Sequence, residues 1–134
     1  MYLGAFILVK NLTYKDIELA ADRLAGHIVN TPLLESDRIN ALLNCRVLIK
    51  AENLQRTGSF KFRGAFNMIS SLTNEEKSKG VVAYSSGNHA QGVAAAAKIL
   101  DIKATIVMPS DAPKIKIKNT RKYDANIILY NRSN

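Results

Sequence analysis

The chain has 134 residues, 47% hydrophobic and 22% charged, an ordinary globular composition and enough length to bury about two-thirds of the surface that the unfolded form exposes. Disorder, collagen and coiled coil are excluded. Nineteen Lys and Arg against eleven Asp and Glu give a formal net charge of +8, which leaves nucleic acid, membrane surfaces and small anions open as partners.

The single cysteine, Cys45, with only His27 and His89 beside it, cannot build a disulfide framework or a Cys/His zinc site, and a reducing, cytoplasmic compartment follows. The apolar run Ala5-Phe6-Ile7-Leu8-Val9 has no basic stretch before it and no small-residue cleavage site after it, and it is far too short to span a bilayer. A soluble chain is expected. No linker, low-complexity tract or internal repeat divides it.

Thr13 can cap a helix through Ile17, Leu19, Ala20, Leu24 and Ile28, with Asp16 in its first turn and Thr31-Pro32 beyond its end. Residues 46–50 read as a strand, Gly58-Ser59 as a loop, and 62–72 as a helix with Phe62, Ala65, Phe66 and Ile69 at helical spacing. Residues 73–80 are polar and turn the chain. Val81-Val82-Ala83-Tyr84 is a short apolar strand, 85–87 a tight loop, and 89–100 an alanine-dominated helix. The pattern then repeats, with a strand over 104–108, a basic helix over 112–123 and a strand over 126–130. The order β-α-β-α-β predicts a parallel, right-handed wound sheet. Four residues follow the last strand and no further helix, so its outer face is expected to take cover from the N-terminal half or from another chain.

Two constellations carry chemistry. In Ser59-Phe60-Lys61-Phe62-Arg63-Gly64-Ala65 a lysine sits at a loop-to-helix junction between two aromatics. Desolvation by Phe60 and Phe62 would favour the neutral, nucleophilic amine that Schiff-base chemistry requires; a solvated helix-start lysine is the plainer alternative. In Ser85-Ser86-Gly87-Asn88-His89-Ala90-Gln91-Gly92, between a strand and a helix, outward backbone N–H groups, hydroxyls and an amide can receive a carboxylate or phosphate. A plain capped turn is the alternative there, since the segment fits neither the dinucleotide fingerprint nor the P-loop. The basic run Lys114, Lys116, Lys118, Arg121 and Lys122 reads as a solvated helix face rather than a nucleic-acid surface, and His27 as a surface residue near a helix end.

Taken together, the two constellations resemble the fold-type II pyridoxal-phosphate enzymes of the serine/threonine dehydratase and serine racemase group. Asn30-Thr31-Pro32-Leu33, Lys50-Ala51-Glu52-Asn53-Leu54-Gln55-Arg56-Thr57-Gly58 and Val107-Met108-Pro109 extend the match from about Leu12 onward. Within that group the chain is most similar to threonine dehydratase and the 3-hydroxyaspartate ammonia-lyases.

The resemblance implies an α/β fold with an open, mostly parallel sheet, of the tryptophan synthase beta-like type. Residues 1–79 would belong to the large cofactor-binding domain and 80–134 would form most of the small β-α-β-α-β domain. It implies pyridoxal 5'-phosphate as cofactor, held as a Schiff base on Lys61, which would then move the substrate's α-proton. Phe60 would pack on the cofactor and Asn88 would bond its ring hydroxyl. Ser85, Ser86, Gly87, Asn88 and His89 would receive the substrate carboxylate, and Ser86 would stand on the opposite face. No metal ligand is implied within these residues.

The implied reaction is dehydration and deamination of a small hydroxy amino acid, serine, threonine or 3-hydroxyaspartate, to a 2-oxo acid and ammonia. Reprotonation from the Ser86 side would instead give a racemase. Family members run to about twice this length or more, and their C-terminal half brings the Gly-rich phosphate loop. The chain is therefore expected to be an N-terminal portion, with a homodimer or a complementary C-terminal half as partner, and no nucleic acid or membrane. A non-catalytic half that works only through such a partner is the competing expectation.

Overall fold

The computed structural model describes residues 11–133; the Ala5-to-Val9 run lies outside them. Helix α1 (Tyr14–Leu24) starts at a capping box in which Asp16 N–H donates to Thr13 Oγ1 and Thr13 N–H donates to Asp16 Oδ2 at 2.9 Å. It ends four residues earlier than the apolar spacing predicts, because Ala25 leaves helical ψ and Gly26 takes a φ of +75°. Only Leu24 of its apolar stripe is buried, while Ile17 and Leu19 stay exposed.

The next segment departs most from expectation. A strand β1 (Leu33–Glu35) pairs antiparallel with β2 (Leu48–Lys50), and helix α2 (Asp37–Leu43) fills the connection, closing on a left-handed Asn44. Neither β1 nor α2 has a readable period, since all their apolar residues but one are exposed and each is shorter than one window of the pattern. Side chains hold the hairpin instead. Arg46 donates twice to Glu35 and Asn40 Nδ2 donates to the same carboxylate, while Asn40 Oδ1 accepts from Val47 N–H at 2.7 Å. Arg46, and after it Asn40, holds the Glu35 carboxyl below its ordinary range.

Two short 3-10 turns, Glu52–Leu54 and Arg56–Gly58, lead into α3 (Lys61–Ser70). The polar stretch after it is no simple turn. Thr73 and Glu76 form a second capping box and start helix α4 (Asn74–Lys79), braced by Lys79 on Glu75 at 2.7 Å.

Strands β3 (Val81–Tyr84), β4 (Ala104–Pro109) and β5 (Asn126–Tyr130) form a parallel sheet in that order, alternating with α5 (Asn88–Ile99) and α6 (Lys114–Arg121). The expected β-α-β-α-β order holds, except that α6 begins only after Pro113, whose ψ of 127° is not helical.

Helix α5 lies in the centre of the core. Its Ala90 and Ala94 to Ala97 are buried between the sheet residues Ile106 and Met108 on one side and Phe62, Phe66 and Ile69 of α3 on the other. Alanine suits a helix flanked on both sides, because a larger side chain there would push its neighbours apart. Val82 and Tyr84, 75% and 80% exposed, lie in register with Thr105 and Val107, and Val107 with Ile128, so no described helix covers the sheet's other face. No described helix is long and apolar enough to cross a membrane.

Candidate active site

Lys61 is the first residue of α3, so its side chain projects from a helix start. Its Nζ lies 4.8 Å from the centroid of the Phe60 ring. The expected desolvation by two aromatics is not what the chain builds. Phe62 is fully buried in the core, Phe60 is 59% exposed, and Lys61 itself is exposed. Residues 60 and 62 are two apart on a helix, about 200° round its axis, and cannot both face one lysine.

What places Lys61 is Gly92 on α5. A Cβ there would stand 3.1 Å from the Lys61 carbonyl carbon and 3.2 Å from both the Lys61 oxygen and the Phe62 nitrogen. Glycine lets the two helix backbones approach closely without a Cβ crowding them, and the approach packs the start of α5 against the lysine-bearing helix start.

Within that loop Ser85 N–H is bound into the sheet by Val107 O, and Gly87 N–H donates to Ser85 Oγ at 3.2 Å. Among the described residues the N–H groups of Ser86, Asn88 and His89 have no acceptor, as the first turn of a helix leaves them. Free N–H groups of this kind at a helix start can receive an anion. The side chains diverge. Asn88 Oδ1 accepts from Lys116 Nζ of α6 at 2.6 Å, whereas His89 turns to an apolar pocket lined by Gly64, Met68, Val82 and Val93. Ser86 is half-buried.

A polar clamp stands behind Lys61, built from residues to which sequence reasoning gives no role of their own. Arg63 donates to both oxygens of Glu52 at 2.8 Å, and Thr31 Oγ1 donates to Glu52 Oε1 at 2.6 Å. The Arg63 guanidinium, helped by Thr31, pulls Glu52 down to about 2 against the burial that pushes it up. Gln55, 3% exposed, mimics a strand: its Oε1 accepts from Val29 N–H and its Nε2 donates to Val29 O. The Gln three residues after a Glu is the one sequence signal for this cluster.

Two further readings change. His27 is not a free surface residue but is half-buried, stacked on Phe66 with ring centroids 4.4 Å apart. Lys116 is half-buried and hydrogen-bonded to the loop, rather than part of a wholly solvated face.

The donor set fits an amine-reactive, acceptor-rich group. No carboxylate ties down Lys61 among the described residues, and the buried Thr57 Oγ1 and Ser59 Oγ lack a hydrogen-bond partner there, a state that costs about 1–3 kcal/mol each unless something polar meets them.

Comparison with known proteins agrees with this geometry. The family model described as "Pyridoxal-phosphate dependent enzyme" matches residues 24–134. An L-threo-3-hydroxyaspartate ammonia-lyase of a Pseudomonas species is 52% identical over 120 residues, covering 90% of this chain and 38% of that protein. A catabolic L-threonine dehydratase of Escherichia coli is 50% identical over 115 residues, covering 86% of this chain and 35% of the enzyme. The crystal structure of serine racemase from Dictyostelium discoideum superposes with a TM-score of 0.86 at 45% identity, covering 90% of this chain and 39% of that one. The chain thus spans less than two-fifths of the length of these relatives. With a family model over most of its length and a parallel α/β architecture shared with fold-type II enzymes, the chain belongs to the pyridoxal-phosphate dependent enzyme family.

Proposed function

We propose that the chain provides the lysine-bearing part of a pyridoxal-phosphate dependent ammonia-lyase that converts a small hydroxy amino acid, such as threonine, serine or 3-hydroxyaspartate, into a 2-oxo acid and ammonia. The observation that carries this reading is the close approach of Gly92 to the Lys61 backbone, which brings the lysine-bearing start of α3 against α5, whose own start leaves N–H groups free.

When bound, pyridoxal phosphate supplies an electron sink, a conjugated pyridinium ring for the pair left on the substrate's α-carbon. The rest falls to this chain. Lys61 Nζ would hold the cofactor and, as a free amine, would take the substrate's α-proton. Phe60, exposed beside it, would pack on the ring, and Asn88 would bond the ring oxygen. The Ser86, Asn88 and His89 N–H groups, with Ser85 and Gly87 shaping the turn, orient the substrate carboxylate, so that the α-hydrogen faces Lys61. Loss of that proton and of the β-hydroxyl, then hydrolysis of the resulting enamine, balances to 2-oxo acid and ammonia. Ser86 Oγ holds a proton on the opposite side.

Residues 1–79 and 80–134 would serve the large and small domains of the family, with the phosphate-binding loop outside residues 1–134. The lone exposed Cys45 suits a cytoplasmic setting.

The test is borohydride trapping of added pyridoxal phosphate, followed by mass mapping of the modified lysine. It is run on the 134-residue chain and on the same residues carried in place of the matching segment of the Pseudomonas relative. The expected result is a label on Lys61 that Lys61→Ala abolishes, with 2-oxo acid formed from at least one of the three substrates by the chimaera. Label scattered over surface lysines and unchanged by Lys61→Ala would overturn the assignment.

A further inference from the structure

Five basic residues line α6 and its end, and one of them behaves differently from the rest. Lys114, Lys118, Arg121 and Lys122 are exposed, whereas Lys116 is half-buried and reaches 28 residues back in sequence to Asn88 at the start of α5. Its backbone is fixed from both sides. Lys116 N–H donates to Pro113 O at 2.8 Å, and the buried Thr120 hydroxyl donates to Lys116 O at 2.8 Å, so the first turn of α6 is held where the ammonium meets the loop. No carboxylate among the described residues competes for it within ion-pair distance. As a contribution to stability the contact is poor, because ordering a lysine side chain for one exposed neutral acceptor returns little.

Its effect on Asn88 is specific. An ammonium has donors and no acceptor, so the amide must present Oδ1 to Lys116, which leaves both Nδ2 hydrogens for the other side. We propose that Lys116 is a positioning residue: by holding Asn88 Oδ1 it aims the Asn88 amide N–H at the ring oxygen of pyridoxal phosphate and, with its own charge, favours that oxygen in the deprotonated state. The inference rests on the preceding reading, in which Asn88 meets that oxygen. Without Lys116 the amide is free to flip and offer its carbonyl, which repels an anionic oxygen.

The experiment loads the chimaera with pyridoxal phosphate and measures two quantities, the cofactor dissociation constant and the pH midpoint of its visible band. The variants are Lys116→Met, Lys116→Arg, Asn88→Ala and, as a charge control on the same helix, Lys118→Met. Lys116→Met is expected to weaken cofactor binding about tenfold and to move the midpoint up, since losing a cation and a directed donor favours protonation. Lys116→Arg restores most of both and Lys118→Met leaves both in place. Unchanged values in Lys116→Met beside a clear effect of Asn88→Ala would overturn the inference and leave the functional reading standing. Equal shifts in Lys116→Met and Lys118→Met would reduce it to net charge and overturn it as well. No effect of Asn88→Ala would remove the reading on which it rests. If Lys116→Met does not fold, a Lys116→Arg protein with binding weakened as far as Asn88→Ala would also overturn it.

Discussion

The two ends of α3 are anchored by different physics. Toward its start, residues 29–63 are held by directed polar contacts, the Gln55 clamp on Val29 and the Glu52, Arg63 and Thr31 cluster, while Leu33, Leu34, Leu48 and Ile49 stay exposed. Farther along, Phe62, Phe66 and Ile69 sink into the alanine face of α5 with hardly a polar group among them. Apolar contact tolerates small shifts, whereas a hydrogen-bonded clamp fixes direction. Lys61 stands where the second kind of restraint meets the first.

The comparison can be broken first at its apolar side. Phe66 is 1% exposed and stacks on His27, so Phe66→Ala should cost about 3–5 kcal/mol by urea unfolding. Arg63→Met leaves the mostly buried Glu52 without its cation. It should cost about 2–3 kcal/mol, below the value for a fully buried pair because both side chains retain some exposure. The same pair has a pH signature. Glu52 is depressed to about 2 from an ordinary 4.5, so its contribution is complete above 4.5 and fades as pH falls toward 2. Unfolding midpoints measured across that window should drop in the parent chain and stay flatter in Arg63→Met; parallel curves would show that the clamp carries no linked proton.

Gly92→Ala places a methyl against the Lys61 and Phe62 backbone. Overpacking of about 1–3 kcal/mol, offset by roughly 1 kcal/mol of helix propensity, leaves a net loss of about 0–2 kcal/mol, with a larger fall in cofactor binding than stability alone explains. Equal loss of both would mean that the contact only packs. Smallest in stability is Ser86→Ala, within about 0.5 kcal/mol; in the loaded chimaera it should impair any racemisation more than elimination, and equal loss of both would remove Ser86 from the opposite face.

The same division governs how much of the molecule is legible in its sequence. The β3 to β5 half is legible because burial writes itself as period, and Ile106, Met108 and the alanines of α5 lie at the positions that strand and helix spacing indicate. The Lys61 and Asn88 motifs are legible as residue types at a loop-to-helix junction. The hairpin of β1 and β2 and helix α2 are not, since Arg46, Glu35 and Asn40 hold them by side-chain bonds that leave no repeat. Helix α4 carries a start signal in the Thr73 and Glu76 spacing, but the polarity of residues 74–79 masks it as a turn. Phe60 and Phe62 look like equivalent neighbours of Lys61 along the chain, although helical geometry sends them to opposite environments. Lys116 is concealed among like charges, and only the position of buried Thr120 one turn later hints that it faces inward.

The Gly92 contact also dates the site within the life of the chain. A helix as short as α3 equilibrates on the microsecond scale by itself, but Lys61 is held only once a loop of about thirty residues closes and α5 docks, a step governed by chain entropy rather than local propensity. The helix that bears Lys61 therefore precedes its placement, which arrives with a long-range contact rather than with the helix itself.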